Sequence, residues 1–146
     1  MKSKESAVTG LTSGIEFLFK KNKVDYIKGW GKFADKNTID VDVIGGTKDQ
    51  VKAKNIIVAT GSEPNELPAS TGLSFDEKFV ISSTGALSLQ AIPKRMVVVG
   101  GGVIGLEMGS VYQRLGTEVT VVQHTDRICP FLDIEVGKAF TNSLKK

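Results

Sequence analysis

Thiols and imidazoles are almost absent from this sequence. It has one cysteine, Cys129, and one histidine, His124. A lone cysteine excludes an internal disulfide and any CxxC metal or redox pair. Both residues fall on what reads as one short loop, and no third group is at hand to orient an imidazole, so a nucleophilic Cys–His pair has little to build on. No apolar run approaches the length of a membrane span, which speaks against a membrane protein. The lysines are scattered and are not interleaved with aromatics, so the net charge of +3 reads as solvated surface and no nucleic-acid partner is expected. The opening residues, Met1 to Ser6, carry neither the apolar region of a signal peptide nor an arginine-rich transit pattern.

What the chain does have is glycine in one telling place. Met96–Val99 is a short apolar run that ends in Gly100, Gly101 and Gly102, and a helical pattern follows at once from Val103 to Leu115. A buried parallel strand, a tight turn and a helix N-terminus together form the arrangement that cradles a dinucleotide pyrophosphate. Gly100 allows the turn. Gly102 lets a phosphate approach the backbone. Gly105 and Gly109 allow helix and strand to pack closely. The free N–H groups of the first helical turn face the anion, and the helix dipole favours its charge. Gly116 suits a left-handed cap, and the β-branched run Glu118–Val122 supplies the second strand of a βαβ unit.

With 146 residues, 40% of them hydrophobic and 24% charged, the chain has the size and composition of one ordinary globular domain. Its organisation is lopsided. Lys4–Asn22 reads as a helix with Ala7, Leu11, Ile15, Leu18 and Phe19 on one face, interrupted by Gly10 and Gly14, whose cost of about 1 kcal/mol each is to be offset by packing. Val24–Ile27 reads as a short strand. Thr38–Val43 and Gln50–Lys54 read as a hairpin. Asn55–Ala59 reads as a strand apolar on both faces, ending in Thr60, Gly61 and Ser62. Pro64 and Pro68 mark a connector. Val80-Ile81 is extended, a brief helix capped from Ser82–Thr84 runs to Leu89, and Asp133 reads as the N-cap of a last helix. The strands near the middle are left with unpaired edges or bare faces, as two half-domains would be.

Several of these segments resemble the dihydrolipoamide dehydrogenase family of flavin disulfide reductases. Ile56-Ile-Val-Ala-Thr-Gly-Ser62 is similar to its strand and ATG turn, and Ile81-Ser-Ser-Thr-Gly-Ala-Leu-Ser-Leu89 to its SSTGAL segment. Met96 through Ser110 is similar to its NAD fingerprint. Arg127-Ile, Pro130, Asp133 and Glu135 resemble an RI-x-P-x-x-D-x-E run, and Leu11–Ile15 and Lys20–Val24 resemble the approach to the flavin domain's later strands. The resemblance implies an α/β fold of the FAD/NAD(P)-binding, Rossmann-like, doubly wound kind, incomplete here. Residues 1–62 would be the tail of the first part of an FAD domain, and residues 63–146 the first half of an NAD domain.

The resemblance also implies roles. Gly31 matches the position where the backbone meets the FAD adenine, and Thr60, Gly61 and Ser62 match the turn near FAD. Gly100, Gly101, Gly102, Val103, Ile104, Gly105, Leu106 and Glu107 match the NAD pyrophosphate loop and its helix. Glu107 matches the acid near the flavin–nicotinamide meeting point, though the lysine that partners it in the family has no counterpart here. Gln123 stands where the family has a ribose-binding glutamate; its amide can still bond to hydroxyls but carries no charge, which should weaken NAD binding and soften discrimination against NADP. Cys129 falls on a typically aliphatic position and reads as a small, semi-buried hydrophobe.

The implied activity is oxidation of protein-bound dihydrolipoamide with reduction of NAD+ through a redox disulfide and FAD. The implied partners are a lipoyl-bearing 2-oxo acid dehydrogenase complex and a second subunit of a homodimer. The implied location is the mitochondrial matrix for a eukaryotic parent and the cytoplasm otherwise. The family's CxxxxC dithiol and its His–Glu pair have no counterpart, so no catalytic residue is assigned and the isolated chain is expected to be inactive. Two other readings remain open: a non-catalytic dinucleotide-binding module, and an NADPH-dependent disulfide reductase relative.

Overall fold

A computed structural model describes residues 2–145. The chain divides into two compact units, Met1–Ser62 and Glu63–Lys146.

The first unit contains helix α1 (Lys2–Lys21) and strands β1 (Gly29–Asp35), β2 (Thr38–Val43) and β3 (Lys48–Lys52), joined as an antiparallel meander in the order β1-β2-β3. Gly45 and Gly46 both adopt positive φ and turn β2 into β3. The hairpin's second arm therefore lies two residues earlier than Gln50–Lys54, because these glycines shorten the connection. Gly29 opens β1 for a steric reason: a Cβ there would sit 2.5 Å from the Asp42 carbonyl oxygen.

The strand expected at Val24–Ile27 is absent. That segment instead lies along the end of α1. Val24 N–H donates to the Phe19 carbonyl, and the Tyr26 ring packs against Phe19 with centroids 5.1 Å apart. Lys28 meets Glu16 at 2.5 Å, and this hydrogen bond and charge hold its ammonium above the ordinary lysine range.

No residue described in α1 is buried, and Leu11 is 72% exposed. The packing expected to offset Gly10 and Gly14 is not seen, since none of the described residues lies within 4 Å of where their side chains would be. Asn55–Ala59 forms no strand and joins no sheet, and Ile57 is 91% exposed. An apolar strand needs a neighbour to bond its backbone, and none of the described strands pairs with it.

The second unit contains helix α2 (Ser83–Ala86), strand β4 (Arg95–Val99), helix α3 (Val103–Arg114), strand β5 (Glu118–Val122) and helix α4 (Ile134–Leu144). The helix expected to reach Leu89 stops at Ala86, so it forms only one turn. Ser82 caps it by accepting the Gly85 N–H at 3.1 Å. The Tyr112 hydroxyl donates to the Ala86 carbonyl and ties α2 to α3.

Strands β4 and β5 pair in parallel and in step, from Arg95 opposite Glu118 to Val99 opposite Val122. Gly116, at φ 95°, makes the turn from α3 into β5, and Thr117 donates to the Pro93 carbonyl at 2.7 Å. Helix α3 covers one face of this pair. On the other face Val97 stays 64% exposed, so β4 is not the doubly covered strand its composition suggested. The apolar sequence is compatible with cover on both faces, but among the described elements of this unit only α3 packs on the pair. Ala86, Leu106, Tyr112 and Cys129 form the buried apolar residues of this unit.

Candidate dinucleotide site

In-step pairing brings two chain segments together. Gly100 follows Val99, and Gln123 follows Val122, so both leave the sheet at its carboxyl edge, where open α/β sheets bind ligands. Gly100 N–H donates to the Val122 carbonyl at 2.8 Å, which extends the ladder by one bond. Gly100 then turns at φ 111°, a conformation that disfavours any side chain.

Gly102 is the N-cap of α3 and has no side chain to cap the helix. The first i→i−4 bond of the helix runs from Leu106 N–H to the Gly102 carbonyl. The N–H groups before it have no acceptor inside the helix, and among the described residues nothing beyond its chain neighbours lies within 4 Å of a Cβ built on Gly102. This is a cradle of free donors at the positive end of a 12-residue helix, with open space before it. Its donor chemistry and clearance fit a pyrophosphate. Glu107 is exposed on α3 and makes no ion pair among the described residues.

The other glycines divide by role. A Cβ on Gly105 would overlap the Gly100 carbonyl oxygen and lie 3.1 Å from Val98 Cγ1, so this glycine allows α3 to sit against the loop. Gly109 does not have that duty: a Cβ there would meet Val119 Cγ1 at 3.4 Å, an ordinary contact. Gly101 differs from expectation. Its N–H donates to Gln123 Oε1 at 2.7 Å, and its carbonyl accepts from Cys129 N–H at 2.8 Å. A Cβ on it would also press on Ile128 Cγ2 at 2.9 Å. Gly101 is therefore part of the loop's internal framework and has no donor left for an anion. Leu106 is a core residue whose N–H is spent within the helix.

Gln123 also departs from expectation. Its carboxamide points back to the loop, and its Nε2 donates to Thr125 Oγ1 at 2.7 Å. Beyond it, an open groove of about 830 Å³ runs between the segment after β5 and α4, lined by Thr125, Asp126, Arg127, Lys138 and Asn142 among others. Arg127 Nη2 donates to the Pro130 carbonyl at 2.6 Å, and its Nη1 is buried with no partner among the described residues. Asp133 caps α4, accepting N–H bonds from Glu135 and Val136. Cys129, at 1% exposure and φ 43°, is a buried packing residue.

In the first unit, Gly31 pairs with Val41 across the β1-β2 ladder, and a Cβ on it would lie 3.2 Å from Ile39 Cγ2. Sheet packing alone is reason enough for glycine there. Thr60, Gly61 and Ser62 are exposed, with Gly61 at φ 82°. Sequence reasoning missed Thr125 and the Cys129 amide, which hold the loop. The only signal for the Cys129 amide was the RI-x-P run, which does not reveal that it folds under Gly101, and Thr125 lies outside that run.

The family model for pyridine nucleotide-disulphide oxidoreductases matches residues 2–146. The chain belongs to this family, and its fold is the Rossmann-like α/β kind that the glycine loop implied. Within the family it is similar to dihydrolipoyl dehydrogenases. It is 52% identical over 146 residues to dihydrolipoyl dehydrogenase 3 of Pseudomonas putida, covering 100% of this chain and 31% of that protein. It is 55% identical over 146 residues to the mitochondrial dihydrolipoyl dehydrogenase of Pisum sativum, covering 100% of this chain and 28% of that protein. The crystal structure of LpdA from Mycobacterium tuberculosis superposes with a TM-score of 0.82 at 26% identity, covering 96% of this chain and 31% of the other. The chain thus spans less than a third of the length of these relatives.

Proposed function

We propose that this chain is the part of a dihydrolipoyl dehydrogenase that joins the FAD domain to the NAD domain. In this reading, Met1–Ser62 is a partial FAD-binding unit and Glu63–Lys146 a partial NAD-binding unit. The observation that carries it is the loop at the carboxyl edge of β4 and β5, where Gly100 turns, Gly102 leaves clearance and the first N–H groups of α3 face outward. Val103 and Ile104 supply those donors, Gly105 sets their position, and Glu107 lies one turn further along the helix. Bound NAD+ supplies the electron acceptor for the parent reaction, which oxidises dihydrolipoamide on a partner protein. The assignment of Gly31, Thr60, Gly61 and Ser62 to FAD rests on the family likeness. Residence in the mitochondrial matrix for a eukaryotic parent, or the cytoplasm otherwise, and assembly with a lipoyl-bearing complex as a homodimer belong to the same reading. Among the described residues, no helix is long and apolar enough to cross a membrane.

A second reading, a non-catalytic dinucleotide-binding module, is favoured for the isolated chain by its one thiol, which is buried. One experiment serves both. The purified chain is examined by visible spectroscopy and titrated with NADH and NADPH by fluorescence. The expected result is a colourless protein that binds NADH more tightly than NADPH and has no diaphorase activity. A yellow, active protein would overturn the inactivity of the isolated chain. Much tighter binding of NADPH would overturn the NAD assignment.

A further inference from the structure

We propose that Gln123 is a positioning residue that clamps the glycine loop through Gly101, and that it does not read the nucleotide ribose. This inference deepens the dinucleotide reading above and rests on it. Gly101 N–H has to meet an acceptor, so Oε1 of Gln123 faces it at 2.7 Å and Nε2 is turned to Thr125 Oγ1 at 2.7 Å. The Thr125 hydroxyl donates in turn to the Arg127 carbonyl at 2.9 Å. Each donor in this relay points the same way, so each bond polarises the next. Two residues on, Cys129 N–H returns to the Gly101 carbonyl at 2.8 Å.

Both backbone groups of Gly101 are therefore held by the single segment 123–129, and Ile128 closes its open face. Gly101 lies between the turn at Gly100 and the N-cap at Gly102. Fixing its peptide planes fixes the direction of the donors that follow. A free glycine peptide has wide conformational freedom, and ordering it only when ligand arrives would reduce affinity. Gln123 orders it beforehand. A neutral amide suits this relay because it both accepts from Gly101 and donates to Thr125. A carboxylate can accept from Gly101 more strongly, but cannot donate onward.

The test compares the 146-residue chain with Gln123→Leu, Gln123→Glu and Thr125→Val. Exchange of the Gly101 amide is measured without ligand, and NADH and 2′-deoxy-NADH are titrated against each chain. Gln123→Leu is expected to speed Gly101 exchange about tenfold and to weaken both nucleotides about tenfold, leaving their ratio unchanged. Gln123→Glu is expected to keep Gly101 protected and to rescue binding. Thr125→Val is expected to weaken both nucleotides several-fold, with no further loss when combined with Gln123→Leu. If Gln123→Leu weakens NADH and spares 2′-deoxy-NADH, Gln123 reads the ribose and the proposal falls. Equal Gly101 exchange in all four chains overturns it as well. A wild-type chain that protects Gly101 but binds neither nucleotide overturns the dinucleotide reading instead. Should Gln123→Leu fail to fold, Gln123→Glu and Thr125→Val carry the same two readouts.

Discussion

Alanine at Gly105 and at Gly109 should have opposite effects, although both glycines lie on α3 and face the same sheet. In a helix, replacing glycine by alanine favours the folded state by up to about 1 kcal/mol, chiefly through backbone entropy. At Gly109 the new methyl finds Val119 Cγ1 at 3.4 Å and Val98 Cγ2 at 3.7 Å, so the gain is kept. At Gly105 the methyl overlaps the Gly100 carbonyl oxygen. That oxygen cannot swing aside, because it shares a peptide plane with the Gly101 N–H, which is held by Gln123 Oε1 at 2.7 Å. The start of α3 has to move instead. Overpacking of this kind costs about 1–3 kcal/mol, which exceeds the propensity gain. The expected net effects are a loss of about 1–2 kcal/mol for Gly105→Ala and a gain of about 0.5–1 kcal/mol for Gly109→Ala. At about 4–8 °C per kcal/mol for a unit of this size, thermal melts followed by far-UV circular dichroism resolve the difference easily. Gly105→Ala should also weaken NADH binding, since the same shift moves the donors of Val103 and Ile104. Melting of Gly105→Ala at or above the wild-type temperature would refute the steric reasoning.

Three further outcomes are expected. Ser82→Ala removes the only side-chain cap of α2 and should cost about 1 kcal/mol, read as faster exchange at the Gly85 amide; unchanged exchange would show that the cap is idle. Tyr112→Phe leaves the buried Ala86 carbonyl without its donor and should cost about 1 kcal/mol in denaturant unfolding. Burial raises the Tyr112 pKa, so its contribution is complete below the ordinary tyrosine value and fades as pH climbs through the higher folded one; ultraviolet titration showing an ordinary midpoint would contradict this. Backbone N–H bonds from Lys78, Val80 and Phe79 hold the Asp76 carboxyl below the usual aspartate range, so the order of this loop is present above that range and lost as pH falls through the lower folded value. An NMR titration midpoint at or above about 3.9 would contradict it.

The second unit was more legible in the sequence than the first. Its elements carry local signals: β-branched runs at Met96–Val99 and Glu118–Val122, an acceptor at Asp133, and glycines at the two turns that flank α3. The first unit misled where a segment's apolar character implied company. Val24–Ile27 and Asn55–Ala59 have strand composition, but a strand exists only when another backbone bonds to it, and that depends on residues distant in sequence. The periodicity of α1 was read correctly as helix, while its burial was not, because an apolar stripe specifies a face without specifying what covers it.

The glycine pattern by itself determined that a strand, a turn and a helix N-terminus follow one another at Met96–Ser110, because only glycine tolerates the φ at Gly100 and the clearance at Gly105. The identity of residue 123 was equally plain, but its role was not. An amide at the end of a strand can turn outward to a ribose or inward to the loop. The in-step pairing of β4 and β5 placed Gln123 beside Gly101, and the unmet N–H of Gly101 drew its oxygen inward. Hydrogen-bond partners separated by 22 residues are chosen by register and distance, which only the tertiary structure supplies.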